Sequence, residues 1–272
     1  MAEQLMTTLQ NGVNMPLLGL GVYDMYHAEA EAAVSAALAI GYRLIDTASL
    51  YRNEKEVGNA VRTSGIPRSS LFITTKVGNT DQGYDQTLRA FDTSQKLLNT
   101  EYIDAYLVHW PIRATRRETW LALERLYQEK RVRVIGVANY LLPFLKELEG
   151  YASMVPLIDQ VEFSPYCYLK DLLATCRSRG IQLQSYTPLI RGKKFSDPRL
   201  IQIADAYGKT PAQVILRWNL QHGVSTIPKS AHPERLKENF DVFDFQLSEA
   251  HMEQLNQFHE NFRVVDNPMD YW

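Results

Sequence analysis

An α/β barrel of eight parallel strands is the fold the sequence predicts, and three observations predict it. Short apolar runs alternate with amphipathic helical stretches along the chain, and strand-then-helix repeats with mostly apolar strands mean a parallel sheet covered by helices. Eight such runs fit in 272 residues, near the ~250 that one closed barrel takes. No composition break or Pro/Gly/Ser linker divides the chain, so a single domain over 1–272 is expected. The open doubly wound sheet lacks its usual signature, because Gly19-Leu20-Gly21 runs into Val22, Tyr23 and Asp24 instead of a third glycine and a helix. Gly208-Lys209-Thr210 is no phosphate loop either, since Ile203 stands where its first glycine belongs.

The elements follow in order. Asn11-Gly12, between "TTL" and "VNMPLL", suits a type I′ turn and predicts an N-terminal β-hairpin. "LLGLGV" is the first barrel strand and "YRLID" the second. In "NEKEVGNAVRTSG", Asn53 and Glu56 have capping-box spacing, Val57, Ala60 and Val61 share a face, and Gly65 then Pro67 end the helix. "LFITTK" leads to a helix with Leu88, Phe91 and Leu98 on one side. "IDAYLVHW" leads to "RETWLALERLYQEK", "VRVIGVAN" to "LPFLKELEG", and "PLIDQVEF" to "LKDLLATCRSRG". "IQLQSY" is followed by two helices, "DPRLIQIADAYG" and "TPAQVILRWNLQHG", before the last strand in "VSTIPKS" and a further helix from Pro233.

Composition removes several function classes. Twenty-nine basic against 31 acidic side chains leave a net charge of −2, so no global field draws the chain to nucleic acid or anionic lipid. No run is long and apolar enough to cross a bilayer. "MAEQLMTTLQ" has neither a basic n-region nor an apolar h-region, so no export signal is read there and a cytoplasmic location is expected. Cys167 and Cys176 are too few and badly spaced for a disulfide framework or thiolate metal site, and read as structural thiols. No exposed heptads are evident, so a monomer is expected.

In a barrel of this kind the reactive groups lie where the strands end. Those ends carry Asp46, Lys76, His109, Asn139, Gln160, Tyr186 and Lys229, with Tyr51 five residues beyond Asp46. Singly each has a bland reading: Asp46 could cap a turn, Lys76 could be solvated, and His109 could be a satisfied structural histidine. Together they converge on one mouth. The set offers no Ser or Cys nucleophile beside a base and no HExxH, and the six histidines are scattered, so triad hydrolysis and zinc chemistry are poorly supported and no metal is expected. A tyrosine with an ordinary pKa near ~10 gives up its proton sluggishly unless its phenolate is stabilised. Lys76 could supply that charge, Asp46 could hold the lysine, and His109 could bond a substrate oxygen. Such a set would protonate a carbonyl oxygen as hydride reaches its carbon.

"GYRLIDTASLYRNEKEVG", "FITTKV", "LVHWP", "VIGVANY", "DQVEFSPY" and "IPKSAHPERLKEN" resemble the ordered motifs of the aldo-keto reductases, over nearly the whole chain and most of all the compact members, the 2,5-diketo-D-gluconate reductases and trypanosomatid-type prostaglandin F synthases. The resemblance implies a (β/α)8 barrel, NADPH/NADP+ held without a doubly wound domain, and a catalytic tetrad of Asp46, Tyr51, Lys76 and His109. It also implies that Asn139 and Gln160 hold the nicotinamide carboxamide and that the ring stacks on Tyr186. Lys229, Ser230 and Arg235 match the group that binds the adenosine 2′-phosphate, and Glu238 and Asn239 match adenine contacts; taken alone the segment would read as a solvated lysine and a helix-surface arginine.

The pattern has departures. Ala138 stands where a serine usually helps grip the carboxamide, Ile190 replaces a usual glycine after the seventh strand, and Gly78 stands where a large aromatic is common, which points to a wider pocket. Tyr23 and Trp110 are candidate pocket walls, with the C-terminal "NPMDYW" expected near the mouth; each could equally be packing. Arg113, Arg116 and Arg117 read as a solvated face, or else as a preference for acidic substrates. The leading expectation is NADPH-dependent reduction of aldehydes and ketones, with a small carbonyl compound as partner. A cofactor-binding sensor or partner-binding subunit on the same fold is the rival, and prostaglandin-endoperoxide reduction follows only from the resemblance.

Overall fold

The computed structural model describes residues 4–272. Eight parallel strands form the sheet: β1 Leu20–Gly21, β2 Leu44–Asp46, β3 Phe72–Val77, β4 Ile103–Val108, β5 Val132–Ala138, β6 Ile158–Glu162, β7 Gln182–Tyr186 and β8 Ser225–Ile227. Each pairs with the next in chain order. A bridge from Leu18 to Thr226, with Gly19 N–H donating to the Thr226 carbonyl at 2.9 Å and Thr226 N–H to Leu17 at 2.7 Å, closes the ring. Closure requires a residue without a side chain at Gly21, where a Cβ would stand 2.8 Å from the Ile227 carbonyl oxygen. The expected barrel is therefore present.

The expected hairpin is present too, with Met6–Thr8 antiparallel to Asn14–Pro16. Its turn differs from the expectation. A type I′ turn needs positive φ at both central residues, but Asn11 is not in that region and Gly12 is, at φ +83°. Leu9 N–H bonds to Val13 O at 2.9 Å and Gly12 N–H to Leu9 O at 2.8 Å, which makes a three-residue loop with its glycine in the left-handed position. Asn11 then reaches the Arg133 carbonyl at 3.0 Å and Thr7 reaches Gln182 at 3.1 Å, so the hairpin plugs the N-terminal end of the barrel.

Helices α1 His27–Ile40, α2 Glu54–Thr63, α3 Tyr84–Leu98, α4 Arg116–Gln128, α5 Leu142–Leu148 and α6 Lys170–Ser178 follow the first six strands. α7 Pro198–Tyr207 and α8 Pro211–Gln221 both follow β7, and α9 Pro233–Phe240 and α10 Glu249–Asn256 follow β8. Two apolar clusters result. Leu44, Phe72, Leu107, Val134 and Ile158 fill the lumen with Met15 of the hairpin, and a larger set that includes Ile45, Ile73, Tyr106 and Ile135 packs between strands and helices. That division is the period of two along each strand made physical.

The capping box read at Asn53 does not form: Asn53 precedes α2 but its side chain makes no cap bond. It is buried and turned elsewhere. Thr210 and Gln213 do form one, at the start of α8. α10, capped by the Ser248 side chain accepting from His251 N–H, was not delineated from sequence. Both cysteines are free and buried. Among the described residues no helix is long and apolar enough to cross a membrane.

Candidate active site

The site begins where β2 ends. Asp46 closes the strand, Ala48 is extended, and Ser49–Tyr51 make a 3-10 turn closed by Arg52 at φ +56°. What fixes this turn is Asn53. Its amide donates to the Val22 and Met25 carbonyls at 2.8 and 2.9 Å and its oxygen accepts from the Thr47 hydroxyl at 2.6 Å. The residue that looked like a helix cap thus ties the loops after β1 and β2 together and sets where Tyr51 stands.

Lys76, on β3, is fully buried. Its Nζ donates to Asp46 Oδ1 at 2.5 Å, to the Thr47 carbonyl at 3.0 Å and, in a long bond of 3.5 Å, to the Tyr51 hydroxyl. The other carboxylate oxygen of Asp46 accepts from Gln160 Nε2 at 2.7 Å. His109 follows β4, with its ring 5.6 Å from that of Tyr51 and nearly perpendicular to it. The four residues of the proposed tetrad therefore meet at one end of the barrel. Among the described residues the buried Nδ1 of His109 has no hydrogen-bond partner.

Burial is the largest influence on every one of these groups. It holds His109 well below the ordinary imidazole value, helped by Lys76, so the ring is neutral at physiological pH. It pushes Asp46 up and Lys76 down, while their 2.5 Å contact opposes both shifts. Tyr51 is held well above the ordinary phenol value by burial and by the negative charge of Asp46. Desolvation and the carboxylate both favour the neutral phenol, so Tyr51 keeps its proton at rest. The lysine's leverage is on a phenolate as it forms.

The other strand-end groups form a second network. Asn139, just past β5 at φ +68°, donates to the His109 carbonyl at 2.8 Å and accepts from the Tyr186 hydroxyl at 2.7 Å. Gln160 also donates to Gln184 Oε1 at 2.7 Å, and Gln184 donates to Ser225 Oγ at 3.1 Å. Gln184 escaped sequence reading. Its signal was its place two residues before Tyr186, on the same face of β7.

The segment after β8 lies apart from this cluster. Ser230 is buried with its hydroxyl accepting from His232 N–H at 3.1 Å, while Lys229 and Arg235 are exposed around the start of α9. The ion pair in this stretch among the described residues joins His232 to Glu234 at 3.8 Å, so neither cation is neutralised. Asn239 is buried, and the Glu238 carboxylate is engaged by the Thr210 hydroxyl at 2.8 Å. Two exposed cations without an ion-pair partner among the described residues, beside a helix start, fit a phosphate in charge.

The departures have physical counterparts. Ala138 is buried at the end of β5. Ile190 adopts the glycine-like backbone itself, at φ +55°, flanked by Thr187 at +49° and Arg191 at +52°. A β-branched residue is strained there. Its side chain is 1% exposed, so core burial offsets the strain. At Gly78 a Cβ would meet Ser49 Oγ at 3.0 Å and Asp81 Oδ2 at 3.1 Å, so two polar atoms stand close to where a side chain would begin.

Tyr23 is 53% exposed and stands edge-on to Tyr51, with ring centroids 5.2 Å apart. Trp110 is covered by Tyr271 of the tail, 4.9 Å away. Arg113 and Arg117 are exposed as a solvated face would be, but Arg116 is not: it is 4% exposed and paired with Glu147. Its donors are consumed internally, which corrects its place in that face and removes it from any role with acidic substrates.

A family model described as the Aldo/keto reductase family matches residues 17–260. The glyoxal reductase of Bacillus subtilis (strain 168) is 47% identical over 261 residues, covering 96% of this chain and 95% of its own. The 9,11-endoperoxide prostaglandin H2 reductase of Trypanosoma cruzi (strain CL Brener) is 44% identical, covering 97% and 95%. Among solved structures, a Bombyx mori aldo-keto reductase in complex with NADP superposes with a TM-score of 0.91 at 32% identity, covering 98% of this chain and 96% of that one.

Proposed function

The chain belongs to the aldo/keto reductase family, and on that premise we propose that it reduces aldehydes and ketones to alcohols with NADPH, with Tyr51 as proton donor. The observation that carries the reading is the single chain of contacts from Asp46 through Lys76 Nζ to the Tyr51 hydroxyl, beside a neutral His109 with an unpartnered ring nitrogen. When bound, NADPH supplies the hydride.

Everything else falls to the protein. Tyr51 Oη gives its proton to the carbonyl oxygen as negative charge develops there. Lys76, already donating toward Tyr51 Oη, strengthens that bond as the phenol becomes phenolate. Asp46 keeps the ammonium in place, and Gln160 keeps Asp46 in place. A neutral imidazole carries one N–H, which at His109 is available to the carbonyl oxygen. Asn139 and Gln160 are suited to the carboxamide and Tyr186 to the ring face; Lys229, Ser230 and Arg235 are suited to the 2′-phosphate. Glu238 and Asn239 stand where adenine contacts fall in the family. Ala138 offers no hydroxyl to the carboxamide, a deficit of about 1 kcal/mol.

The likenesses to a glyoxal reductase and to a prostaglandin H2 reductase support a panel that spans small dicarbonyls, aromatic aldehydes, keto sugars and an endoperoxide. NADPH absorbance should fall with at least one carbonyl class, and fluorescence titration should give tighter binding of NADPH than of NADH. NADPH binding without turnover of any member would favour the sensor reading; equal affinities would refute the assignment of Lys229 and Arg235.

A further inference from the structure

Arg116 is the second buried cation near the mouth, and no step above uses it. A positive charge at a helix start is unfavourable, and a guanidinium out of water is costly unless its donors are met. Here they are met by three separate parts of the chain. Nε donates to Glu147 Oε1 at 2.9 Å and Nη2 to Glu147 Oε2, both on α5. Nη1 donates to the Pro111 carbonyl at 3.1 Å, in the loop that carries His109, and to the Tyr271 carbonyl at 3.3 Å, in the tail. The guanidinium also lies 5.2 Å from the Phe144 ring centre and 5.4 Å from that of Trp272.

The tail is shaped to receive this contact. Asn267 accepts from Met269 N–H at 3.1 Å and starts a 3-10 turn, Pro268–Tyr271. The turn delivers Tyr271 onto Trp110, with ring centroids 4.9 Å apart, and Trp272 onto Phe144, at 5.2 Å. Trp110 is itself fixed from the other side, where its carbonyl accepts from Gln82 Nε2 at 2.7 Å. It directly follows His109, whose ring faces Tyr51. Trp110 and Tyr271 therefore form an apolar pair at the strand end that carries His109, and one guanidinium holds its outer half.

We propose that Arg116 is a positioning residue: by holding the Tyr271 backbone it keeps the tail aromatics against Trp110, and so favours carbonyl substrates with a broad aromatic or apolar substituent over small polar ones. The selectivity half rests on the reductase reading above. The clamp half does not.

The test compares Arg116→Met, Arg116→Lys, a chain lacking residues 271–272, and that deletion combined with Arg116→Met. In the methionine variant the KM for benzaldehyde should rise about tenfold, the scale of one lost apolar contact. Its kcat, and both constants for methylglyoxal, should stay within about twofold. The deletion should give the same split, and the combination should add nothing. Lysine keeps the charge but loses the fork and the planar stacking face, so it should restore the KM only in part. Limited proteolysis followed by mass spectrometry gives a readout free of turnover: the tail should be clipped faster in both single variants than in the parent. Additive effects of substitution and deletion, an equal rise in KM for both aldehydes, or an unchanged clipping rate would each overturn the proposal. A parent that reduces neither aldehyde would sink the selectivity, and one that reduces no member of the wider panel would sink the reductase reading too, while clipping would still decide the clamp.

Discussion

Asp46 and Asp104 are both buried aspartates of the barrel, one at each end of it, and they are satisfied in opposite ways. Asp104, at the start of β4, is saturated. Arg68 and Arg133 each pair with one of its oxygens at 2.6 Å, and Ile73 N–H donates to it at 2.9 Å. Asp46 shares a single ammonium at 2.5 Å, and that ammonium spends its third contact on a phenol at 3.5 Å. The lower cluster has no capacity left and serves as a fastening. The upper one keeps a stretched bond to a phenol whose ring faces a neutral imidazole, an arrangement that is not saturated.

The most severe test of that contrast is Tyr51→Phe. Removing the hydroxyl should cut carbonyl reduction by about 10²- to 10⁴-fold, the range for a lost general acid, while the thermal midpoint and NADPH affinity hold. Near-normal turnover would mean that the upper cluster is a fastening as well. Asp104→Ala should do the reverse. It leaves two guanidiniums facing a gap and should cost about 3 kcal/mol in urea unfolding, with kcat per folded molecule unchanged. A fall in kcat without loss of stability would break the comparison.

Asp159 offers a third, subtler case, a buried carboxyl with no well-formed hydrogen bond among the described residues and only the Tyr140 backbone N–H close enough to favour its charged form. It alternates with Gln160 on β6 and so faces the helix layer. Burial holds it well above the ordinary carboxyl range. The folded state therefore keeps a proton that the unfolded chain releases above pH ~3.9, and stability falls as pH rises beyond that value. Asp159→Asn removes this dependence. It should stabilise the protein by about 1 kcal/mol at neutral pH, with a larger gain at pH 8 than at pH 5. A gain independent of pH would show that Asp159 is not the proton holder.

The parts of the molecule that were legible in the sequence are those set by local periodicity. Alternation along a strand fixes which residues face the lumen, and strand order then brings Asp46, Lys76 and His109 to one rim without further information. What stayed hidden depends on partners far away in the chain. Asn53 has the spacing of a helix cap, yet its amide serves carbonyls at residues 22 and 25. Arg116 sits in a run of arginines that reads as solvated, and only the arrival of Glu147 and the tail removes it from water. For Tyr51, residue types reveal which charges are near but not how much solvent is lost, and solvent loss is the larger influence. The turn at Asn11-Gly12 shows the same limit at short range, since the dipeptide permits two loop lengths and the strand register selects one.

One chain of bonds runs down the lumen from Asp46 through Gln160 and Gln184 to Ser225, at the start of the strand that meets β1 at the seam. Ser225 in turn reaches back to the Pro16 carbonyl at 3.4 Å. The carboxylate that steadies Lys76 is thus moored, through three side chains, to the strand that closes the ring against the segment before β1. Loosening of that seam is therefore expected to loosen the hold on Asp46 as well.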